Sequence, residues 1–170
     1  MINALFAVDS YGGMGFNGTM PWPHNSADLK NFKELTNGHV VVMGRKTWDD
    51  KNMPKPLKGR ITYVATSKPY LQHTAVIKGN LQEEILKLEA NHPDKTIWVV
   101  GGPELLEQCG DIFDRLYLTH YKGSYKIDTK INLKKFLTGW YPKTATADPD
   151  TNFTTVIYEN LFNRVRRSTE

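Results

Sequence analysis

Four short apolar runs constrain this chain more than any other feature. They are NALFAVD (residues 3–9), HVVVM (39–43), ITYVA (61–65) and TIWVV (96–100). Each has the length of a buried strand and stops at a glycine or a polar turn. Segments of helical spacing lie between them. Ser26 is placed to cap a helix over 27–36, with Leu29, Phe32 and Leu35 or Thr36 at helical spacing. Residues 45–50 can open a short helix. Asn80 caps 81–90, with Glu83 in capping-box register and Leu81, Ile85 and Leu88 inward. Pro103 is a favoured first residue for a helix over 104–108. Residues 75–77 add a short strand. Residues 115–121, 139–146 and 153–162 then read as strands with no helix between them, the last two as a hairpin. The pattern predicts an α/β fold: a mostly parallel mixed sheet, about four flanking helices and a C-terminal antiparallel hairpin. One domain over 1–163 accounts for it, with a basic, frayed tail over 164–170.

Composition removes several function classes. The only cysteine in 170 residues, Cys109, excludes an internal disulfide and a cysteine-based metal site, and points to the cytoplasm. No apolar run is long enough to cross a membrane, and the N-terminus does not read as a secretory signal. A net charge of +4 suits an anionic ligand. The densest basic cluster, Arg164, Arg166 and Arg167, belongs to no motif and reads as a solvated end.

In open α/β sheets, ligands sit beyond the carboxyl ends of the strands. The informative residues are those that follow each strand. Gly13-Met14-Gly15-Phe16-Asn17-Gly18 formally matches G-x-G-x-x-G, but it leads into Thr19-Met20-Pro21-Trp22-Pro23, which cannot continue as a helix. That excludes the dinucleotide fingerprint and leaves a flexible loop or a lid. Gly44-Arg45-Lys46-Thr47 couples a turn to a helix start and two cations, a fit for phosphate that a plain basic turn would share. Gly101-Gly102 permits close backbone approach or serves as a simple break. Asp28, near a helix start, suits the helix dipole. It also shares a face with Phe32 and Leu35, where burial of a carboxylate needs a compensating partner.

Taken together, Met20-Pro21-Trp22, Ala27-Asp28-Leu29 with Phe32-Lys33, Val42–Trp48, Gly59-Arg60, Val99–Gly102 and Leu116–His120 resemble dihydrofolate reductase in order and spacing along nearly the whole chain. The resemblance implies reduction of 7,8-dihydrofolate to tetrahydrofolate by NADPH, in support of thymidylate and one-carbon metabolism. It implies that Asp28 is the site's carboxylate, pairing with the pterin 2-amino group and N3 and promoting protonation at N5. Trp22 would position a bridging water, and Thr119 would hydrogen-bond the carboxylate. Leu5, Phe6 and Ala7 would line the pterin pocket, with Phe32, Met53, Leu57 and Val100 as apolar walls. Arg60 would clamp the glutamate α-carboxylate, with Lys33 nearby.

For NADPH, the resemblance places Ala7, Met14, Gly15 and Met20 around the nicotinamide. Gly44, Arg45, Lys46 and Thr47 fall at the phosphates, Arg45 at the 2′-phosphate. Thr66, Ser67, Lys68 and Lys78 fall at the adenosine end. Val100, Gly101 and Gly102 bring backbone to the cofactor, the two glycines joined by a cis peptide. Glu104, Leu105 and Leu106 open the helix that follows. Residues 9–20 would form a lid held by Asp128. A monomer is implied, with antifolates such as trimethoprim or methotrexate as inhibitors and no nucleic-acid or membrane partner. The chain departs from common relatives at Phe6, where a smaller residue is usual, at Leu106, where an aromatic is usual, and in Pro23–Ala27. Two other readings are a riboflavin-synthesis reductase domain, which shares the fold and NADPH, and a basic nucleic-acid-binding module that uses the tail.

Overall fold

A computed structural model describes residues 1–55, 57–68, 71, 74–147 and 152–162. The arginines of the tail lie outside the described residues.

Ten strands and five helices follow in chain order. They are β1 (Ile2–Val8), β2 (Gly13–Gly15), α1 (Ser26–Thr36), β3 (Val40–Gly44), α2 (Arg45–Trp48), β4 (Ile61–Ala65), β5 (Ala75–Ile77) and α3 (Leu81–Asn91). β6 (Ile97–Val99), α4 (Pro103–Gln108), β7 (Arg115–Tyr121), β8 (Thr129–Lys130), α5 (Leu133–Phe136), β9 (Tyr141–Ala147) and β10 (Phe153–Glu159) complete the set. Eight strands form one sheet in the order β5-β4-β3-β6-β1-β7-β10-β9. All neighbours from β5 to β7 are parallel, and β10 runs antiparallel to both β7 and β9. The carboxyl ends of β3, β6, β1 and β7 therefore meet along one edge of the sheet, where the motif residues cluster.

The apolar runs behave as buried parallel strands because both faces are covered. On one face Ile2, Ala4, Phe6 and Val8 of β1 pack with Val40, Val42, Ile97 and Val99 under Ile85 and Leu88 of α3. On the other, Val41, Met43 and Val64 pack with Trp48, Leu57 and Leu71. Each such side chain contributes about 1.5–3 kcal/mol when fully buried. The edge strand β9 is solvent-exposed throughout and carries Pro142, a residue suited to an edge.

Three expectations need correction. Ser26 does not cap α1. Asn25 does, its Oδ1 accepting the Asp28 N–H at 3.0 Å, and Ser26 becomes the first helical residue. Asp28 is thus the third residue of the helix. Asn25→Ala should cost about 1 kcal/mol, a fall of about 2–4 °C in melting temperature for a domain of this size; Ser26→Ala should change stability by less than about 0.5 kcal/mol. Second, α1 buries only Thr36 fully, and Leu29 is 38% exposed. Its inner face borders a cleft rather than a closed core. Third, a fifth helix, α5, packs Phe136 against Phe6 at 5.5 Å between ring centroids. Its cue is Asn132, which accepts the Lys135 N–H, followed by Leu133, Phe136 and Leu137 at helical spacing.

Candidate active site

The site begins with the position of α1. The Asn25 cap leaves the Asp28 carboxylate free of the helix N-terminus, and it points across the cleft to β7. Side chains alternate along a strand, so Tyr117, Thr119 and Tyr121 share the face opposite Leu116, Leu118 and His120. Thr119 and Tyr121 meet the carboxylate from this face. Tyr121 OH donates to Asp28 Oδ2 at 2.8 Å, and Thr119 Oγ1 approaches Oδ1 at 3.5 Å. Burial raises the Asp28 pKa, and the two hydroxyl contacts partly oppose it. Trp22 is buried and stacks on Tyr121 at 4.2 Å and 14°. Its Nε1 is buried and has no hydrogen-bond partner among the described residues. An acid, an indole donor and two hydroxyls thus share one half-dry corner.

The remaining pocket residues divide by strand parity. Leu5 and Ala7 face the Asp28 side, with Ala7 in register with Thr119. Phe6 does not: its side chain lies in the opposite core against Phe136, so only its backbone can line the cleft. This also accounts for its size, since the large ring fills the α5 side of the sheet. Phe32 and Met53 are half-buried against the cluster that contains Leu57. Arg60 is held at the far end. Its Nε donates to the Lys58 carbonyl at 3.0 Å, Nη1 donates to Thr36 Oγ1 at 3.2 Å, and the guanidinium lies 6.0 Å from the Phe32 ring centroid. Lys33 is exposed on α1.

Across the sheet edge, β3 ends in Gly44, and β6 is followed after Val100 by Gly101 and Gly102. Gly44 N donates to the Gly101 carbonyl at 2.7 Å, and Gly101–Gly102 is a cis peptide. Gly101 has φ +116°, and a Cβ there would lie 3.7 Å from Met14 Cε, 4.0 Å from Leu106 Cδ1 and 4.0 Å from Thr47 Oγ1. Met14, Thr47, Leu106 and the glycines therefore converge. Arg45 Nε donates to both Asp49 oxygens at 2.9 and 3.0 Å, while its Nη1 is buried with no partner among the described residues. An oriented cation with a spare buried donor, beside glycine backbone, fits a phosphate-bearing cofactor. Lys46, Ser67, Lys68, Lys78 and Glu104 are exposed, and Thr66 is half-buried. Thr66 N donates to the Ile77 carbonyl, which places it beside Lys78. Leu105 and Leu106 are buried in the core, so Leu105 can approach a ligand only through its backbone.

The segment 9–20, expected as a lid, is ordered by pairing that the sequence pattern does not reveal. β2 pairs with β8, and Phe16–Thr19 closes as a two-residue hairpin through Asn17 at φ +52° and Gly18 at φ +78°. The glycine motif is thus a hairpin, not a nucleotide turn. Asp128 accepts the Asn17 N–H at 3.0 Å and donates its own N–H to the Gly15 carbonyl at 3.0 Å. The Asn17 contact is the main cause of its lowered pKa. Asn52 Nδ2 donates to Thr19 Oγ1 at 2.8 Å, and Met20 is 36% exposed beside the lid tip. The base is tied by Asp9, which is buried and accepts the N–H groups of Tyr11, Gly13 and Tyr125. A Cβ at Gly13 would lie 2.7 Å from Asp9 Oδ2, so glycine is required there. Asp9, Asn52 and Tyr121 were not singled out from the sequence; only Asp9, which ends an apolar run before glycines, carried a local cue.

The chain is similar to known proteins along most of its length. The family model of dihydrofolate reductase matches residues 1–160. The chain is 35% identical over 142 residues to dihydrofolate reductase type 9 of Escherichia coli, covering 79% of this chain and 78% of the relative. It is 34% identical over 128 residues to the dihydrofolate reductase of Staphylococcus aureus strain Mu50, covering 75% and 76%. A dihydrofolate reductase from Enterococcus faecalis, solved with NADP(H) and RAB-propyl, superposes with a TM-score of 0.77 at 28% identity, covering 95% of this chain and 96% of that one. A family match along residues 1–160 of 170 decides the matter: the chain belongs to the dihydrofolate reductase family.

Proposed function

We propose that this chain reduces 7,8-dihydrofolate to 5,6,7,8-tetrahydrofolate with NADPH, and that Asp28, Trp22 and Thr119 handle the proton. The observation that carries this reading is the half-buried Asp28 carboxylate, held from β7 and flanked by a buried indole N–H with no partner among the described residues. Asp28 presents acceptor lone pairs to the pterin 2-amino group and N3. Its burial favours the protonated form, so the site holds a proton more readily than water would and supports protonation at N5. Trp22 Nε1 offers a donor for a water in the same corner. The walls formed by Leu5, Phe32 and Leu57 exclude solvent. Bound NADPH supplies the hydride for pterin C6. Gly44, Thr47, Gly101 and Gly102 would hold the cofactor, with Arg45 at its 2′-phosphate.

Arg60 gives the site its reach for the glutamate tail. With two of its donors already anchored, the guanidinium is pre-oriented for a carboxylate. Arg60→Gln should raise KM for dihydrofolate about 10-fold or more while kcat stays near wild type. Dihydropteroate, which lacks the glutamate, should show no such change; equal losses for both substrates would contradict the assignment.

All of these residues come from one chain, which supports a working monomer. The lone, buried cysteine suits a reducing cytoplasm. Substrate-competitive antifolates of the trimethoprim or methotrexate kind are the expected inhibitors. The reading is tested by labelling: reduction with NADPH deuterated at the transferred position should place one deuterium on the product carbon, while the second hydrogen exchanges with solvent. Reduction of an aminopyrimidine ribityl substrate in place of dihydrofolate would instead indicate the riboflavin-type activity.

A further inference from the structure

The acid corner contains a side chain that the family resemblance does not assign. Tyr121 is 3% exposed. Its hydroxyl makes the shorter of the two contacts to Asp28, 2.8 Å against 3.5 Å for Thr119. Its ring makes the stacking contact with Trp22 and also packs on Phe153 at 5.4 Å between centroids. One residue therefore touches both the acid and the indole.

The geometry distinguishes its role from that of Thr119. A single donor leaves a carboxylate free to turn about its terminal torsion, which is broad. Donors on different oxygens fix the plane, and here Thr119 reaches Oδ1 while Tyr121 reaches Oδ2. The remaining lone pairs are left for a two-point donor such as an aminopyrimidine edge. We propose that Tyr121 is a positioning residue of the reductase: its hydroxyl sets the plane of the Asp28 carboxylate and favours the ionised form, while its ring fixes the Trp22 indole against the same acid. The proposal rests on the role given to Asp28 above.

The groups that face this carboxylate set the sign of the effect. They are Tyr121 and Thr119 from β7; the Trp22 ring stacks on Tyr121 and meets Tyr125 edge-on, and Tyr125 in turn raises the Tyr121 pKa. Burial and the neighbouring Asp28 charge push the Tyr121 phenol above its ordinary range, so it remains a protonated donor throughout the working pH range. Removing that donor takes away support for the ionised carboxylate, and Asp28 should then hold its proton to higher pH.

Tyr121→Phe keeps the ring and removes the hydroxyl. In ligand-free protein carrying ¹³C-carboxyl aspartate, the NMR titration of Asp28 should move to higher pH. The pH at which kcat falls should move the same way, and KM for dihydrofolate should rise about 3–10-fold. In an Asp28→Asn background, Tyr121→Phe should leave the pH profile unchanged, a result that a merely structural role would not give. Placing 3-fluorotyrosine at position 121, a stronger donor of nearly the same size, should move the Asp28 titration to lower pH, and it provides the test if the phenylalanine variant does not fold. An Asp28 titration unmoved by either change overturns the proposal. Wild-type protein without dihydrofolate-dependent turnover counts against the proposed function instead, so the two failures are distinguishable.

Discussion

Asp28→Asn will slow turnover at neutral pH by about 10²–10⁴-fold, the range over which a positioned acid or base acts. The asparagine can still accept from Tyr121, so the corner should keep its shape. What it loses is a group that can hold a proton beside the pterin. Activity should recover in part as pH falls, because solvent then protonates the substrate before hydride transfer. A steady-state pH series on both proteins checks this. Stability should move the opposite way. Burial raises the folded-state pKa of Asp28 above the ordinary carboxylate value, so its stabilising contribution is fully present below the unfolded-state pKa and is lost as pH rises through the folded-state value. At neutral pH the native protein carries a half-buried charge that the asparagine variant lacks. Thermal denaturation should therefore show Asp28→Asn to be the more stable protein at neutral pH, with the difference closing in acid. An acid placed for chemistry, at some expense in stability, behaves this way.

Arg45→Gln should raise KM for NADPH about 10–100-fold, the loss associated with a charge-assisted hydrogen bond. The reason lies in how the side chain is held. Asp49 fixes the guanidinium through Nε, and the buried Nη1 has no partner among the described residues. Glutamine supplies neither the fork nor the charge. KM for NADH, which lacks the 2′-phosphate, should change by less than about 3-fold, so the preference for NADPH should shrink by nearly the full loss. Comparing the two cofactors in wild type and variant measures this. Equal losses for both would place Arg45 at the pyrophosphate rather than at the 2′-phosphate.

The elements that were legible in the sequence are those whose signal is local. β1, β3, β4 and β6 are unbroken apolar runs because both faces of the sheet are covered. α3 shows its cap and its inward stripe in one window. Asp28 was legible as an oddity, a carboxylate on a face shared with Phe32. The misses share a different cause. β2 and β8 together have five residues and are held by backbone pairing across the chain, so no side-chain period marks them. Ser26 and Asn25 are both good caps, and one hydrogen bond decides between them. The orientation of Phe6 follows from parity along β1, since Ala4, Phe6 and Val8 alternate with Leu5 and Ala7. Tyr121 reads as an ordinary strand tyrosine because its significance lies in a contact with a residue 93 positions away.

The proposed reductase activity stands or falls on proton handling by Asp28. The most direct test follows nicotinamide absorbance with purified wild type and Asp28→Asn side by side at neutral pH, omitting each ligand in turn. Wild type should oxidise NADPH only when dihydrofolate is present, yielding one tetrahydrofolate per NADPH, and the variant should give a nearly flat trace. Wild-type protein with no dihydrofolate-dependent oxidation, or a variant that keeps the wild-type rate, would contradict this proposal.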